Sequence, residues 1–209
     1  MSKIKAILFD MDGVLIDAKE WHYESLNKAL SLFGTEISRY DHLVTFDGLP
    51  TKKKLEMLSL EGGFPHQLHE FVNELKQVYT MEIVYAKCKP LFQHQYALSK
   101  LKDDGYKLAV CSNSVRNTID IMMQKSNLSQ YLEFFLSNQD VLHGKPNPEI
   151  YTKGIEKLGL NPDECLIVED NENGVRAALA SGAHLLKVEN VDDVTYFNII
   201  NRIKEIENA

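Results

Sequence analysis

Short apolar runs that alternate with helical patterns constrain the fold of this chain most strongly. Runs at residues 4–9, 107–111, 165–168 and 185–188 have the length and composition of strands buried on both faces of a sheet. Helical patterns lie between them at residues 93–101, 115–124, 148–158 and 174–180, and glycine follows shortly after most of these patterns. This alternation predicts an α/β protein with an open parallel sheet.

One long interval, residues 17–87, carries only helical signals. Apolar residues at helical spacing form three stripes there: Leu26, Leu30 and Phe33; Leu55, Met57 and Leu58; and Leu68, Phe71, Val72 and Leu75. Joints that contain Gly34, Gly48 and the pair Gly62-Gly63 separate the stripes. We therefore expect an α/β core formed by residues 1–16 and 88–209, with a small helical domain, residues 17–87, inserted after the first strand.

Composition excludes several classes of protein. Of the 209 residues, 44% are hydrophobic and 25% charged, which is typical of a globular protein. The net charge of −7 argues against nucleic acid as a partner, because phosphate backbones are bound by basic surfaces. The longest uninterrupted apolar runs have four residues, far below the ~20 that span a bilayer, so we expect no membrane segment.

The start of the chain and its cysteines indicate where the protein resides. Residues 1–5 lead directly into the first apolar run and show no signal-peptide pattern. Cys88, Cys111 and Cys165 form no CxxC pair and are odd in number, which favours free thiols over disulfides or a zinc site. We expect a cytoplasmic protein. The sequence leaves the oligomeric state open and is compatible with a monomer.

Two aspartates follow the first strand directly. Asp10 and Asp12 are two residues apart and would lie at the carboxyl edge of the sheet, where open α/β folds bind their ligands. Because alternate residues of an extended segment point the same way, both carboxylates should face one site. The alternative is a turn-forming aspartate before Gly13.

A second acidic pair, Glu169 and Asp170, follows the run at residues 165–168. If that strand lies beside the first one, all four carboxylates converge. Two like charges about 4 Å apart repel by roughly 4 kcal/mol at an effective dielectric constant of about 20, so the cluster requires cations. The donors are hard oxygens without an adjacent histidine, and this set favours Mg²⁺.

Other segments provide groups suited to an anionic substrate. Ser112, Asn113 and Ser114 lie between a strand and a helix, where hydroxyl and backbone N–H groups form a phosphate cradle. We expect Ser112 to bind phosphate and Ser114 to cap the helix. Lys145, in the segment Lys145-Pro146-Asn147-Pro148, is held by two prolines and can bring its charge to a phosphate and a carboxylate. Its alternative role is that of a solvated surface lysine.

These segments together resemble the ordered motifs of the haloacid dehalogenase-like hydrolase superfamily. The motifs are Asp-Met-Asp-Gly-Val at 10–14, Ser112-Asn113, Lys-Pro-Asn-Pro at 145–148, and Val-Glu-Asp-Asn-Glu-Asn-Gly at 168–174. The resemblance extends over most of the chain and points to the phosphatase and β-phosphoglucomutase branch. It implies a Rossmann-like core with a helical cap inserted after the first motif. Small departures are Asn171, where serine is commoner, and Ala18, where a hydroxyl residue is common.

The resemblance also implies a role for each matching residue. Asp10 would be the nucleophile that forms an aspartyl-phosphate, and Asp12 the general acid and base. Ser112, the Asn113 N–H and Lys145 would bind the phosphoryl oxygens. Asp10, Asp170 and the backbone carbonyl of Asp12 would bind Mg²⁺, with Glu169 assisting from beside them.

The resemblance leaves the reaction open between two outcomes. A phosphatase passes the phosphoryl group to water, and a β-phosphoglucomutase-like enzyme passes it to a second sugar hydroxyl. Thr51 stands near the position where mutases of this branch carry an arginine, so we favour hydrolysis of a small phosphorylated metabolite. A non-catalytic interaction protein is disfavoured, because clustered carboxylates cost stability unless they serve a reaction.

The helical insert contributes two hypotheses about substrate binding. His22, four residues before Leu26, is either a packing residue or a contact to substrate. Thr51 is expected to cap a helix whose first turn would carry Lys52, Lys53 and Lys54, although cations there oppose the helix dipole. Either at least one of these lysines binds an anionic part of the substrate, or they form a solvated surface.

Overall fold

The computed structural model describes residues 3–46 and 48–208. By their contacts, the residues divide into two compact units: one comprises Met1–Asp17 and Lys89–Ala209, and the other Ala18–Cys88. Each boundary lies one residue later than the sequence predicts. The predicted core domain also includes residues 1, 2 and 209, which are outside the described residues.

Within the described residues, the first unit contains a parallel five-stranded sheet in the order β3-β2-β1-β4-β5. Its strands are β1 (Ala6–Phe9), β2 (Lys107–Cys111), β3 (Phe134–Leu136), β4 (Cys165–Glu169) and β5 (His184–Lys187). The predicted α/β class with an open parallel sheet is confirmed. Strand β3 is not among the predicted strands, because three residues at the sheet edge are too few to form a recognisable apolar run.

Within its described residues, the regular secondary structure of the second unit is entirely helical. It contains α1 (Lys19–Ser31), α2 (Arg39–Asp41), which continues into a π-helical turn (His42–Phe46), α3 (Thr51–Gly62) and α4 (His69–Lys87). Helices α1 and α4 pack along each other. Leu26, Leu30, Leu55 and Val72 from the predicted stripes are buried in the core of this unit.

Helix α3 begins differently from the prediction. Thr51 is its first residue and Pro50 occupies the N-cap position, so the expected capping by Thr51 is wrong. Pro50 has the extended backbone of a cap residue, and its carbonyl accepts the backbone N–H groups of Lys53 and Lys54. Lys52 and Lys53 are exposed, whereas Lys54 is buried.

The helices of the first unit flank its sheet. They are α5 (Phe92–Asp103), α6 (Arg116–Lys125), α7 (Glu149–Leu158), α8 (Glu172–Ala180) and α9 (Tyr196–Glu207). Helix α7 approaches the sheet closely at Gly154, where an added Cβ would lie 2.7 Å from Leu8 Cδ2 and 3.1 Å from Cys111 Sγ. None of the described helices combines the length and apolar character that a membrane span requires.

Candidate active site

Adjacent strands bring the predicted acidic residues and Ser112 to one edge of the sheet. Strand β1 lies between β2 and β4, with Phe9 in register with Val110 and Val168. Asp10 therefore follows β1 beside the ends of both neighbours, and its N–H donates to the Val168 carbonyl at 3.0 Å. Because all strands run in parallel, residues that follow them meet at the carboxyl edge.

Lys145 forms the centre of a buried network at this edge. Its Nζ lies 2.6 Å from Asp10 Oδ1 and 2.6 Å from Glu169 Oε1. Its side chain is only 4% exposed, so the interaction takes place out of water. The same Glu169 Oε1 accepts a hydrogen bond from the Tyr151 hydroxyl at 2.6 Å, and the Tyr151 ring centroid lies 4.7 Å from the Lys145 ammonium.

The charges of this network depend on one another. Burial alone lowers the pKa of Lys145, but the carboxylates of Asp10 and Glu169 outweigh burial and raise that pKa above its usual value. Burial raises the pKa of the Asp10 carboxyl, and the charge of Lys145 opposes that rise. Lys145 therefore stays cationic and supplies a fixed positive charge beside Asp10.

The side chain of Asn113 holds the backbone of Lys145 in place. Asn113 Oδ1 accepts the Lys145 N–H at 3.0 Å, and its Nδ2 donates to the Lys145 carbonyl at 3.3 Å. Gly144 permits this contact, because a Cβ there would lie 2.6 Å from Asn113 Oδ1. The Asn113 side chain is thus committed to positioning Lys145.

The serines after β2 differ from the sequence expectation in one respect. Helix α6 begins at Arg116 with Val115 at the N-cap position, so the expected capping by Ser114 is wrong. Val115 takes the extended cap conformation, which places Ser114 one residue before the cap. The Ser114 hydroxyl instead donates to Asp12 Oδ2 at 2.7 Å. Ser112 is buried, and its Oγ accepts the Ser114 N–H at 3.1 Å.

Asp10, Glu169 and Asp170 form a candidate metal site. Each offers a carboxylate oxygen within 4.8 Å of the others, and no comparable group of ligands occurs elsewhere in residues 3–46 and 48–208. The Asp12 carboxylate, also expected near the metal, is not in this group and is bonded to Ser114. An all-oxygen, anionic donor set fits a hard divalent cation.

Several contacts hold the Glu169 carboxylate in place, and they give it a structural role that Asp10 and Asp170 do not share. Besides its contacts with Lys145 and Tyr151, its Oε2 accepts the Asp170 N–H at 3.1 Å. Gly174 in α8 lies against the same carboxylate, so a Cβ at Gly174 would overlap it. Glu169 is therefore positioned to hold Lys145 as well as to face a cation.

His22 belongs to the helical unit, whereas the residues predicted for catalysis and metal binding belong to the first unit. Its Nδ1 lies 3.2 Å from Nζ of Lys76, a buried lysine of α4. Lys76, Tyr151 and Gly174 are not among the residues predicted for the site. Their patterns are those of ordinary helix residues, although Gly174 ends the motif at 168–174 and could have been marked there.

Comparisons with known proteins identify the family of this chain. Residues 7–188 match the family described as haloacid dehalogenase-like hydrolase. A pyrophosphatase, PpaX, from Bacillus velezensis is 30% identical over 190 residues, which cover 86% of this chain and 81% of that protein. A Saccharomyces cerevisiae protein named probable pseudouridine-5′-phosphatase is 29% identical over 198 residues, covering 88% and 82% respectively.

A solved structure shows the same fold. The β-phosphoglucomutase from Clostridium difficile superposes with a TM-score of 0.85 at 20% identity, covering 99% of this chain and 100% of that one. Enzymes of the matched family generally use a divalent metal, and the cluster of Asp10, Glu169 and Asp170 could bind one. The chain belongs to the haloacid dehalogenase-like hydrolase family and is one of its phosphoryl-transfer enzymes.

Proposed function

We propose that the enzyme hydrolyses a small phosphorylated metabolite, a phosphomonoester, with Mg²⁺ as cofactor and an aspartyl-phosphate on Asp10 as intermediate. The observation that carries the proposal is the Lys145 ammonium, held 2.6 Å from both Asp10 and Glu169 in a buried site. A cation fixed beside a carboxylate favours its ionised form, which is the form that attacks phosphorus, and opposes the rise in the Asp10 pKa that burial causes.

The first half-reaction transfers the phosphoryl group to the protein. A carboxylate oxygen of Asp10 attacks phosphorus, and the bond from phosphorus to the ester oxygen breaks with its electron pair passing to that oxygen. Protonated Asp12 donates its proton to the ester oxygen, and the alcohol departs. The product is a mixed anhydride between Asp10 and phosphate.

The second half-reaction restores the protein. Water attacks the phosphorus of the aspartyl-phosphate while Asp12, now a carboxylate, accepts the proton of that water. The bond from phosphorus to the Asp10 oxygen breaks, inorganic phosphate leaves, and Asp12 is again protonated. The two half-reactions together consume one ester and one water and release one alcohol and one phosphate.

The remaining site residues bind and neutralise the phosphoryl group. The Ser112 hydroxyl, the Asn113 N–H and Lys145 are the proposed donors to its oxygens. Asp10, Asp170 and the backbone carbonyl of Asp12 would hold Mg²⁺, with Glu169 beside them. When bound, the ion neutralises the charges of the carboxylates and of the phosphoryl oxygens. In the helical unit, His22 and at least one of the lysines at 52–54 remain proposed substrate contacts.

A second candidate function is pyrophosphate hydrolysis, which the likeness to PpaX favours. The same nucleophile would serve, with phosphate in place of an alcohol as leaving group. A β-phosphoglucomutase-like reaction is the third outcome, and it requires a phosphosugar rather than water as the acceptor. For location, the buried free thiols of Cys88, Cys111 and Cys165 suit a reducing cytoplasm.

A panel of substrates tests these alternatives. The purified protein is supplied with Mg²⁺ and p-nitrophenyl phosphate, pseudouridine 5′-phosphate, phosphoglycolate, pyrophosphate or β-glucose 1-phosphate. We expect phosphate release from at least one monoester, and its loss with chelator or in Asp10→Asn. Asp103→Asn, a change at an exposed carboxylate of α5, is the matched control and should retain activity.

The panel can also contradict the proposal. Release of phosphate from pyrophosphate alone would favour the second candidate. Conversion of β-glucose 1-phosphate to glucose 6-phosphate without phosphate release would favour the mutase. Absence of turnover and of phosphorylated protein with every compound would favour a non-catalytic protein.

A further inference from the structure

We infer that Ser114 is a positioning residue for Asp12, holding one carboxylate oxygen so that the other exchanges the proton with the leaving group. The inference rests on the proposed function, since it concerns the proton-transfer step of the phosphoryl transfer described above. It adds a residue that acts through Asp12 rather than on the substrate.

The contact joins segments that are distant in sequence. Ser114 Oγ donates to Asp12 Oδ2 at 2.7 Å, although the residues are 102 positions apart. Strands β1 and β2 are hydrogen-bonded neighbours, and the two residues lie just beyond their carboxyl ends. A hydrogen bond to a carboxylate at this distance belongs to the strong, charge-assisted class.

Ser114 is itself held firmly. Its N–H donates to Ser112 Oγ at 3.1 Å, and its carbonyl accepts the Asn138 N–H at 3.2 Å. Because Val115 occupies the N-cap position of α6, the Ser114 hydroxyl does not cap this helix. Its orientation toward Asp12 is therefore set by two backbone contacts and not by the helix.

The contact distinguishes the two oxygens of Asp12. A carboxylate oxygen that accepts the serine hydrogen is a poor place for a second hydrogen, so in the acid form the proton resides on Oδ1. Oδ1 then donates to the ester oxygen in the first half-reaction and accepts from water in the second. Without the serine hydroxyl, either oxygen can carry the proton and the carboxyl group can rotate, which lowers the fraction of productive geometries.

Dependence on the leaving group separates this role from a structural one. An alkoxide leaving group needs the proton from Asp12, whereas 2,4-dinitrophenolate departs without one. Loss of Asp12 positioning should therefore reduce kcat/KM for an alkyl phosphate and leave kcat/KM for 2,4-dinitrophenyl phosphate nearly unchanged. General damage to the site would reduce both.

The experiment compares wild type, Ser114→Ala and Ser114→Thr on 2,4-dinitrophenyl phosphate and on the alkyl ester cleaved fastest among pseudouridine 5′-phosphate, phosphoglycolate and glycerol 2-phosphate. For Ser114→Ala we expect about a tenfold fall in kcat/KM on the alkyl ester, or about 1.4 kcal/mol. On the aryl ester we expect less than a twofold change. Ser114→Thr keeps the hydroxyl and should recover most of the loss.

Two further variants complete the design. Ser126→Ala removes a buried hydroxyl of the segment ending α6 that donates to the Met122 carbonyl, and it should alter neither substrate's kinetics. Ser114→Ala is also made in an Asp12→Ala background. There we expect no further loss on the alkyl ester, because a residue that acts through Asp12 has nothing left to position.

Each outcome is decisive. The role of Ser114 would be overturned, while the proposed function stands, by either of two results. One is an equal fall in kcat/KM on both esters, and the other is the same fold-decrease on the alkyl ester when Ser114→Ala is made in the Asp12→Ala background. If wild type itself cleaves no ester, the proposed function fails first. Thermal unfolding of each variant shows whether a loss reflects unfolded protein, and Ser114→Thr provides the test if Ser114→Ala does not fold.

Discussion

At the scale of single residues, the buried charges of this site are held by a small number of hydrogen bonds and ion pairs. Lys145 is useful because it contacts Asp10 and Glu169 together, and Glu169 is fixed because Tyr151 and the Asp170 N–H also bind it. A buried charge that loses one such partner is costly, because nothing else nearby replaces the hydrogen bond. The surroundings of Glu169 are therefore the most sensitive part of the site.

Tyr151→Phe tests the hydroxyl that donates to Glu169. The ring stays beside Lys145, but Glu169 Oε1 loses a buried donor, so we expect the free energy of unfolding to fall by about 1.5–3 kcal/mol. Activity should fall as well, since Lys145 is held less firmly. Urea unfolding measures the first effect, and Tyr40→Phe, at a largely exposed tyrosine, is the control. A Tyr151→Phe protein as stable and active as wild type would contradict this role.

Gly174→Ala tests the space beside Glu169. The added Cβ would overlap the Glu169 carboxylate, which must then move away from Lys145. We expect loss of most activity and of about 2 kcal/mol or more of stability, in the range of overpacked buried sites. Gly62→Ala is the matched change, because a Cβ at Gly62 meets nothing within 4 Å. Retained phosphatase activity in Gly174→Ala would show that Glu169 need not be fixed.

At the scale of secondary-structure elements, the positions where helices begin determine what several of these side chains contact. In α3 and α6 the N-cap position is occupied by Pro50 and Val115, not by the hydroxyl residue that the sequence suggested as the cap. Helix α7 begins at Glu149, whose carboxylate accepts the N–H groups of Leu142 and His143. This contact ties the loop before Lys145 to the helix after it.

The Glu149 contact predicts a dependence of stability on pH. The hydrogen bond from Lys153, followed by those from Leu142 and His143, lowers the pKa of Glu149 to about 2 from 4.5. Since the folded-state pKa is the lower one, the contribution is complete above about pH 4.5 and is lost as the pH falls toward 2. Wild type should therefore exceed Glu149→Gln in urea midpoint at pH 7, and the difference should shrink between pH 4.5 and 2. A difference that stays constant across this range would contradict the assignment.

At the scale of the whole molecule, the parallel sheet brings segments that are distant in sequence together at one charged site. Asp10, Glu169 and Asp170 gather at one edge, and their mutual repulsion opposes folding unless a cation compensates it. Lys145 compensates part of this charge, and a divalent ion would compensate more. The stability of the folded protein should therefore depend on the supply of such an ion.

Mg²⁺ should raise the unfolding temperature. A ligand at about 100 times its Kd stabilises the folded state by about 2.7 kcal/mol, which corresponds to roughly 5–10 °C for a protein of this size. Differential scanning fluorimetry with and without chelator measures the shift. Asp170→Asn should reduce the shift strongly, and Asp103→Asn should preserve it. An equal shift in Asp170→Asn would place the ion elsewhere.

The sequence by itself determined the α/β class, four of the strands and the ordered motifs, because periodicity and residue type are local properties of a chain. Only the tertiary structure decided which groups meet. The Ser114 hydroxyl donates a hydrogen bond to Asp12 instead of capping helix α6, and the Tyr151 hydroxyl of helix α7 donates one to Glu169. A side-chain hydrogen bond goes to whichever acceptor the packed backbone brings within reach, and local sequence does not encode the distance between residues on different elements of the fold.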